Sequence, residues 1–448
     1  MGKSPTYRSI WKLALPALFG GIVEPILSLT DIAVVGNIGG IENHQSTATI
    51  SAVAAVGIAG SLLSALVWIF AQMKSAISAV VSQAYGAHRM RGMATLIPQM
   101  ILFNIVISLL ATVFTFFTAE WIFHQFLSAS GNILSDATNY YKIRVWGFPL
   151  TLVTFSIFGV FRGIQNTVWA MIISVIGGGL NILLDFLLVL GLWGIFPAYG
   201  VEGAAIASVI AQAVMFLLAL YFLFYQSKIK LYLSRSINRS FKELLQITGN
   251  LVLRTTVLNI ALLLSHKFSN IYGKEYAATH AVILNLWFFS AFFLDAFATA
   301  ANALAGKFLG ALDMTSLQRN LSRNMLLGFT VALLLSLTVI LFHPEIMSLI
   351  IKNEQVWVVY PEVIYLFILC LPINAVAFVL DGVFKGMGKA KFLRNVLFAS
   401  TAFGFLPVLL IGHSFAPGLK VVWWAIITWM ILRSLIPMFY FRYWIRNN

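Results

Sequence analysis

Residues 159–166, GVFRGIQN, return at 382–389 as GVFKGMGK. A second stretch, AYGAHRMR at 84–91, has a weaker echo in FLGALDMT at 308–315. The offsets are 223 and 224 residues, half of the 448-residue chain. Two matches at one spacing, each after an apolar run, mark a chain built from two similar halves. In an apolar chain, internal repeats of this size are the signature of many transporter folds.

The chain is indeed apolar. It is 60% hydrophobic and 10% charged, with a mean hydropathy of +0.91. A soluble protein of this length carries far more polar surface. Apolar runs recur to the C-terminus, so no single one stands out as a signal peptide. The pattern predicts twelve helical spans, at 12–36, 50–80, 95–118, 138–161, 168–192, 203–225, 244–271, 277–305, 324–342, 358–384, 393–412 and 420–441. Each is long enough to cross about 30 Å of hydrocarbon. The expected fold is therefore an all-α membrane protein with six spans per half. The lone cysteine, Cys370, lies in a span and has no partner for an internal disulfide.

A net charge of +14 at pH 7 raises the question of nucleic acid. The distribution answers it. Twenty Lys and Arg fall at the termini and in the even-numbered loops, against four in the odd-numbered ones. That asymmetry predicts both termini in the cytoplasm and makes the basic balance a matter of topology. Nucleic acid is not an expected partner. The densest basic segment, YQSKIKLYLSRSINRSFKEL at 225–244, reads as a linker between the halves. The expected organisation is an N-lobe at 1–226, a cytoplasmic linker at 227–243 and a C-lobe at 244–448. An even number of spans per half gives both lobes one orientation, related by an axis along the membrane normal. Two such lobes around a central cavity are suited to rocking between inward and outward access.

Two carboxylates lie inside apolar helices of the first half. Asp31 is in LFGGIVEPILSLTDIAVVG and Asp185 in IGGGLNILLDFLLVLGL. A charge near the bilayer centre costs at least a few kcal/mol, so it is kept where it faces protein, water or a transport path. A carboxyl group in such surroundings can take up a proton near neutral pH. Asp31 lies about 28 Å and Asp185 about 26 Å from the inner ends of their spans at 1.5 Å per residue. At similar depth, the two acids can share one cavity. Asn181, four residues before Asp185, is on the same helical face and can bridge to a carboxylate or a cation. Glu24 is seven residues before Asp31, two turns below on the same face. Pro16 and Pro25 interrupt the backbone ladder of span 1 and are candidate hinges. The alternative is that these acids are structural hydrogen-bonding groups and Pro25 a static kink.

The second half carries a different set. Arg254 sits in span 7, Asp295 in span 8 and Asp381 near the inner end of span 10. Arg254 and Asp295 are candidates for a pair within the lobe, and Asp381 for a gate or a lobe contact. Lys74 is expected to snorkel along the end of span 2. His266, Lys267 and His280 are expected at the outer interface. The aromatic clusters around Trp68, Trp146, Trp287 and Phe289 are expected to serve packing and interface belts, the alternative being an aromatic wall for flat hydrophobic cations. No GxSxG, HExxH or GxxxxGK[ST] pattern and no paired-cysteine metal spacing occurs in the sequence, so nothing argues for an enzyme.

The stretches EPILSLTDIAVVGNIGG, FRGIQNT, NILLDFLLVLG and YGVEGAAIAS resemble the multidrug and toxic compound extrusion (MATE) family. SAFFLDAFATAANALAGKFLGALD and LDGVFKGMGKA resemble its DinF-like branch. The similarity runs in order over nearly the whole chain. It implies twelve helices in two six-helix lobes with a V-shaped cavity, and cation-coupled export of organic compounds. Asp31 then matches the first-helix acid, and Asn181 with Asp185 the Asn-x-x-x-Asp pair of the fifth helix. Ser208 stands where a sixth-helix hydroxyl is common, and Pro16 where the first helix can bend. The NorM-like branch has an acid in the tenth helix where this chain has Asn374, so coupling in the N-lobe is favoured.

The reading that results is a proton-coupled antiporter of the plasma (inner) membrane, exporting amphipathic organic cations as a monomer. No cofactor beyond the coupling ion is expected. Na⁺ at Asp31, Asn181 and Asp185 is the alternative ion. A lipid-linked oligosaccharide flippase, kept open by Arg144, Arg254 and Lys267, and an organic-anion exporter are the alternative functions. A major-facilitator transporter is disfavoured, because GAHRMRG is not the expected 2–3 loop.

Overall fold

The computed structural model describes residues 5–36, 47–191, 197–227, 229–350, 357 and 359–447. The described residues form helices and contain no strand. In chain order these are α1 (Tyr7–Val35), α2 (Thr47–Phe70), α3 (Gln72–Gly86), α4 (Met93–Leu127), α5 (Gly131–Arg144), α6 (Gly147–Gly163), α7 (Val168–Val189) and α8 (Gly200–Tyr221). The second half continues with α9 (Arg239–Tyr272), α10 (Lys274–Gly310), α11 (Met314–Ile350), α12 (Pro361–Gly386), α13 (Ala390–Ser400), α14 (Leu406–Phe415) and α15 (Leu419–Arg446). Ten helical stretches are long and apolar enough to cross a membrane among the described residues. The pair α5–α6, bent by 47°, makes an eleventh among the described residues, and α1 is a further helix of 29 residues.

The helices overrun the expected spans. The ninth span, expected at 324–342, is the 37-residue α11. Apolarity marks only the length inside hydrocarbon, whereas a helix continues into the interface as long as its backbone bonds are made. The fourth span begins at Gly131 and bends at Val145–Trp146. A polar first segment, GNILSDATNYYKIR, hid it from a hydropathy reading.

The repeat is visible in the backbone. Gln165 and Gly388, the seventh residues of the two GVF motifs, both have positive φ, 66° and 73°. Asn166 N–H donates to the Phe161 carbonyl at 2.9 Å, and Lys389 N–H to that of Phe384 at 3.0 Å, the same helix-ending turn twice. His88 and Leu312 form a second equivalent pair, with φ of 55° and 57°. The first glycine of each motif serves packing. A Cβ on Gly159 would lie 2.6 Å from the Lys74 carbonyl oxygen, and one on Gly382 would lie 2.2 Å from that of Ala298. Glycine lets α6 close on α3 and α12 on α10.

Two compact units form. One comprises Met1–Leu18, Ser78–His88 and Glu243–Asn448, the other Phe19–Ile77 and Arg89–Lys242. In the first, α12 is the central helix, packed on α10, α11 and α15. Ile10, Leu13 and Ala14 of α1 join Ala300, Leu304 and Phe384 in its core. In the second, Val34 and Val35 of α1 pack with α2, Tyr140 and Tyr141 of α5, and Ala204 and Ala205 of α8. The boundary within α1 falls between Leu18 and Phe19, two residues after Pro16.

Candidate coupling site

In the second unit, α1, α7 and α8 bring together the residues that sequence reasoning placed at one depth. Asp31, Asn181, Asp185 and Ser208 are all buried. Asn181 and Asp185 are one turn apart on α7, and the Asn181 amide nitrogen donates to Asp185 Oδ2 at 3.1 Å. The same nitrogen reaches Ser208 Oγ at 3.5 Å, and Ser208 Oγ donates to Asp31 Oδ2 at 3.4 Å. The side chains form a chain across three helices. Asp31 Oδ1 and Asp185 Oδ1 are buried without a donor.

Three neighbours escaped the sequence reading of this group. Arg144, at the end of α5, donates from Nη1 to Gln212 Oε1 on α8 at 2.8 Å. Tyr140, one turn before Arg144 on α5, is buried. Gln212 thus holds Arg144 one turn along α8 from Ser208, the residue that bonds Asp31. The signal was present as spacing: Gln212 is four residues beyond Ser208, and Arg144 four beyond Tyr140. The side chains of Glu24 and Pro25 lie outside those described. Pro16 lies within an unbroken α1, beside the unit boundary.

The first unit holds the other charge cluster, and here the expected pairing is corrected. Arg254 is ion-paired with Asp381, whereas Asp295 is exposed on α10. Arg433 of α15 donates to the same oxygen, Asp381 Oδ2, at 3.1 Å. Arg433 is buried, with its guanidinium 4.9 Å from the Trp429 ring centroid. Two guanidiniums thus share one carboxylate. The position of the missing tenth-helix acid, Asn374, accepts a hydrogen bond from Cys370 Sγ at 3.2 Å. His280 is buried rather than interfacial, 3.0 Å from Ser265 Oγ. Lys74 lies over the Phe155 ring, 4.8 Å from its centroid. No group of three or more His, Cys, Asp or Glu side chains suited to a metal occurs among the described residues.

The MatE family model matches residues 16–187 and 250–410, covering each half of the repeat and most of the chain. The chain is a member of the MatE family. It is accordingly a multi-pass membrane transporter of small molecules, not an enzyme, in a family coupled to ion gradients. It is 28% identical to DNA damage-inducible protein F of Escherichia coli, over 98% of this chain and 93% of that one. A probable multidrug resistance protein NorM of Thermotoga maritima is 23% identical over 97% of this chain and 92% of its own. Among solved structures, a MOP superfamily transporter from Pyrococcus furiosus superposes with a TM-score of 0.86 at 20% identity, covering 99% of this chain and 97% of that one. The twelve MatE helices thus stand in two pseudo-symmetric sets of six.

Proposed function

We propose that this MatE protein is a proton-coupled antiporter that exports amphipathic organic cations by rocking alternating access. The observation that carries the reading is the buried run Asp31–Ser208–Asn181–Asp185, in which one oxygen of each carboxyl lacks a donor. A proton taken up there supplies a missing donor. Releasing it leaves a negative cluster that attracts a cationic cargo, so proton and cargo compete for one site. Asn181 supports H⁺ over Na⁺. It turns a donor nitrogen toward Asp185 and Ser208, using lone pairs that a sodium ion would need.

In this reading the lobes 1–226 and 244–448 rock about the linker 227–243, with both termini in the cytoplasm and the protein in the inner membrane. Pro16 is the hinge, and its support is the unit boundary two residues beyond it. The test is flux of a fluorescent organic cation in proteoliposomes, driven separately by a pH gradient and a sodium gradient. Wild type is expected to respond to the pH gradient and Asp185→Asn to lose that response while still folding. Full proton-driven flux in Asp185→Asn would overturn the assignment.

A second reading, export of organic anions, has its own observation. Arg254 and Arg433 bury two positive charges against one carboxylate, Asp381, leaving an excess that suits an anionic cargo. The Pyrococcus furiosus relative is described as having a binding pocket of reverse polarity that suggests a different function. Uptake of a fluorescent carboxylate that is lost in Arg433→Gln would favour this reading.

A further inference from the structure

We infer that Arg144, held in place by Gln212, is a fixed countercharge to the Asp31–Asp185 pair and restricts the pair to one exchangeable proton per cycle. The inference rests on the coupling reading above and adds a residue and a stoichiometry to it.

The arginine is built into the site by three separate features. Its guanidinium is bonded to Gln212, which lies one turn along α8 from Ser208 and so about 6 Å further on the stripe that touches Asp31. Tyr140, one turn earlier on the same face of α5, is buried. At the α5–α6 bend, the chain omits a side chain where this bond passes. A Cβ on Gly147 would lie 1.8 Å from Gln212 Oε1 and 3.4 Å from Arg144 Nη1.

A guanidinium stays protonated in proteins. Two carboxylates and one guanidinium therefore sum to −1 without a proton and to zero with one. A second proton would leave an uncompensated buried positive charge, which desolvation opposes. The cluster alternates between the first two states, exchanging one proton for one positive charge on the cargo. Among the described residues, α5 brings the ionisable Tyr140 and Arg144 to this side of the site, and α8 brings the uncharged Ser208 and Gln212.

The experiment measures flux of a fluorescent monovalent cation in proteoliposomes at a fixed pH difference while absolute pH is varied. The proton-to-cargo ratio comes from the gradient at which net flux stops. Wild type is expected to give a ratio of one. Arg144→Gln should raise the pH of half-maximal flux by one unit or more, about tenfold in proton affinity, and move the ratio toward two. Arg144→Lys should restore the wild-type profile. Gly147→Ala should shift it in the direction of Arg144→Gln by a smaller amount, since it displaces the Arg144–Gln212 bond without altering charge. An unchanged profile in Arg144→Gln, or a wild-type ratio of two, overturns the inference. If Arg144→Gln does not fold, unchanged profiles in both Gly147→Ala and Gln212→Ala overturn it equally. Loss of the proton response in Asp185→Asn alone would leave the coupling reading standing without Arg144. Its retention there would remove both.

Discussion

Ser78 Oγ donates a hydrogen bond to Asn302 Oδ1 at 2.7 Å, between two buried residues 224 positions apart. That separation is the offset of the sequence repeat, so each residue touches its own counterpart. Within one compact unit, α3 and α10 thus meet through the same position of the repeat. One turn along, Gly306 faces Ser82, again 224 positions away. Beyond it the contacts become reciprocal. A Cβ on Gly86 would lie 1.9 Å from the Lys307 carbonyl oxygen, and one on Gly310 would lie 2.0 Å from that of Gln83. The weak echo of AYGAHRMR in FLGALDMT is thus the trace of a helix crossing in which each glycine admits the other strand of the repeat.

The crossing has no room for a side chain. Gly86→Val and Gly310→Val should each destabilise the protein by about 1–3 kcal/mol or more, the range for overpacking. Gly92→Ala, where a Cβ meets nothing within 4 Å, should be close to neutral. Thermal unfolding in detergent, followed by size-exclusion chromatography, ranks the three.

The Arg254–Asp381–Arg433 cluster should respond asymmetrically. Asp381→Asn leaves two buried guanidiniums facing each other and should cost about 3–5 kcal/mol, the range for breaking a buried ion pair. Arg433→Met leaves Asp381 paired with Arg254 and should cost less. Adding Arg433→Met to Asp381→Asn should recover part of the loss. A double variant less stable than Asp381→Asn would contradict the charge argument.

Within the coupling site, Asn181 should matter more than Ser208. Asn181 makes the shorter bond, 3.1 Å to Asp185, whereas the Ser208 contacts are at 3.4 and 3.5 Å, beyond the usual hydrogen-bond range. Asn181→Leu should lower proton-driven flux about tenfold or more, a loss of roughly 1.4 kcal/mol. Ser208→Ala should lower it about threefold or less, under 1 kcal/mol. Equal losses in the liposome assay would argue against Asn181 as the bridge.

Asp313 caps α11 in the loop after α10. The Ser316 backbone amide, 2.9 Å from Asp313 Oδ1, and the Ser316 hydroxyl hold its carboxyl below the usual carboxylate range. A carboxyl so lowered stabilises the fold above its ordinary value, about 3.9, and the contribution is lost as pH falls through the folded value. Asp313→Ala should cost about 0.5–2 kcal/mol at neutral pH. The difference between variant and wild type should shrink as unfolding is measured at progressively more acid pH below 4.

The two buried acids were legible in the sequence because a bilayer makes an isolated charge conspicuous. The bridge through Asn181 was legible because four residues on one helix define one face. Arg144 was legible only as a candidate cavity cation, because nothing local in the sequence ties it to the acids. Its partner Gln212 belongs to another helix, 68 residues on. Asp295 misled because it is closer to Arg254 in the chain than Asp381 is, yet its side chain is exposed.

Hydropathy and charge along the chain determined the spans, and the repeat determined their grouping into two sets of six. These are local properties, since each span must satisfy its own backbone in lipid. Tertiary structure alone decided which face of each helix meets which neighbour. That choice placed Arg433 and Arg254 on one oxygen of Asp381, Arg144 on Gln212, and Ser78 against Asn302. A helix can rotate about its long axis without changing its hydropathy, and only packing between distant segments fixes that rotation.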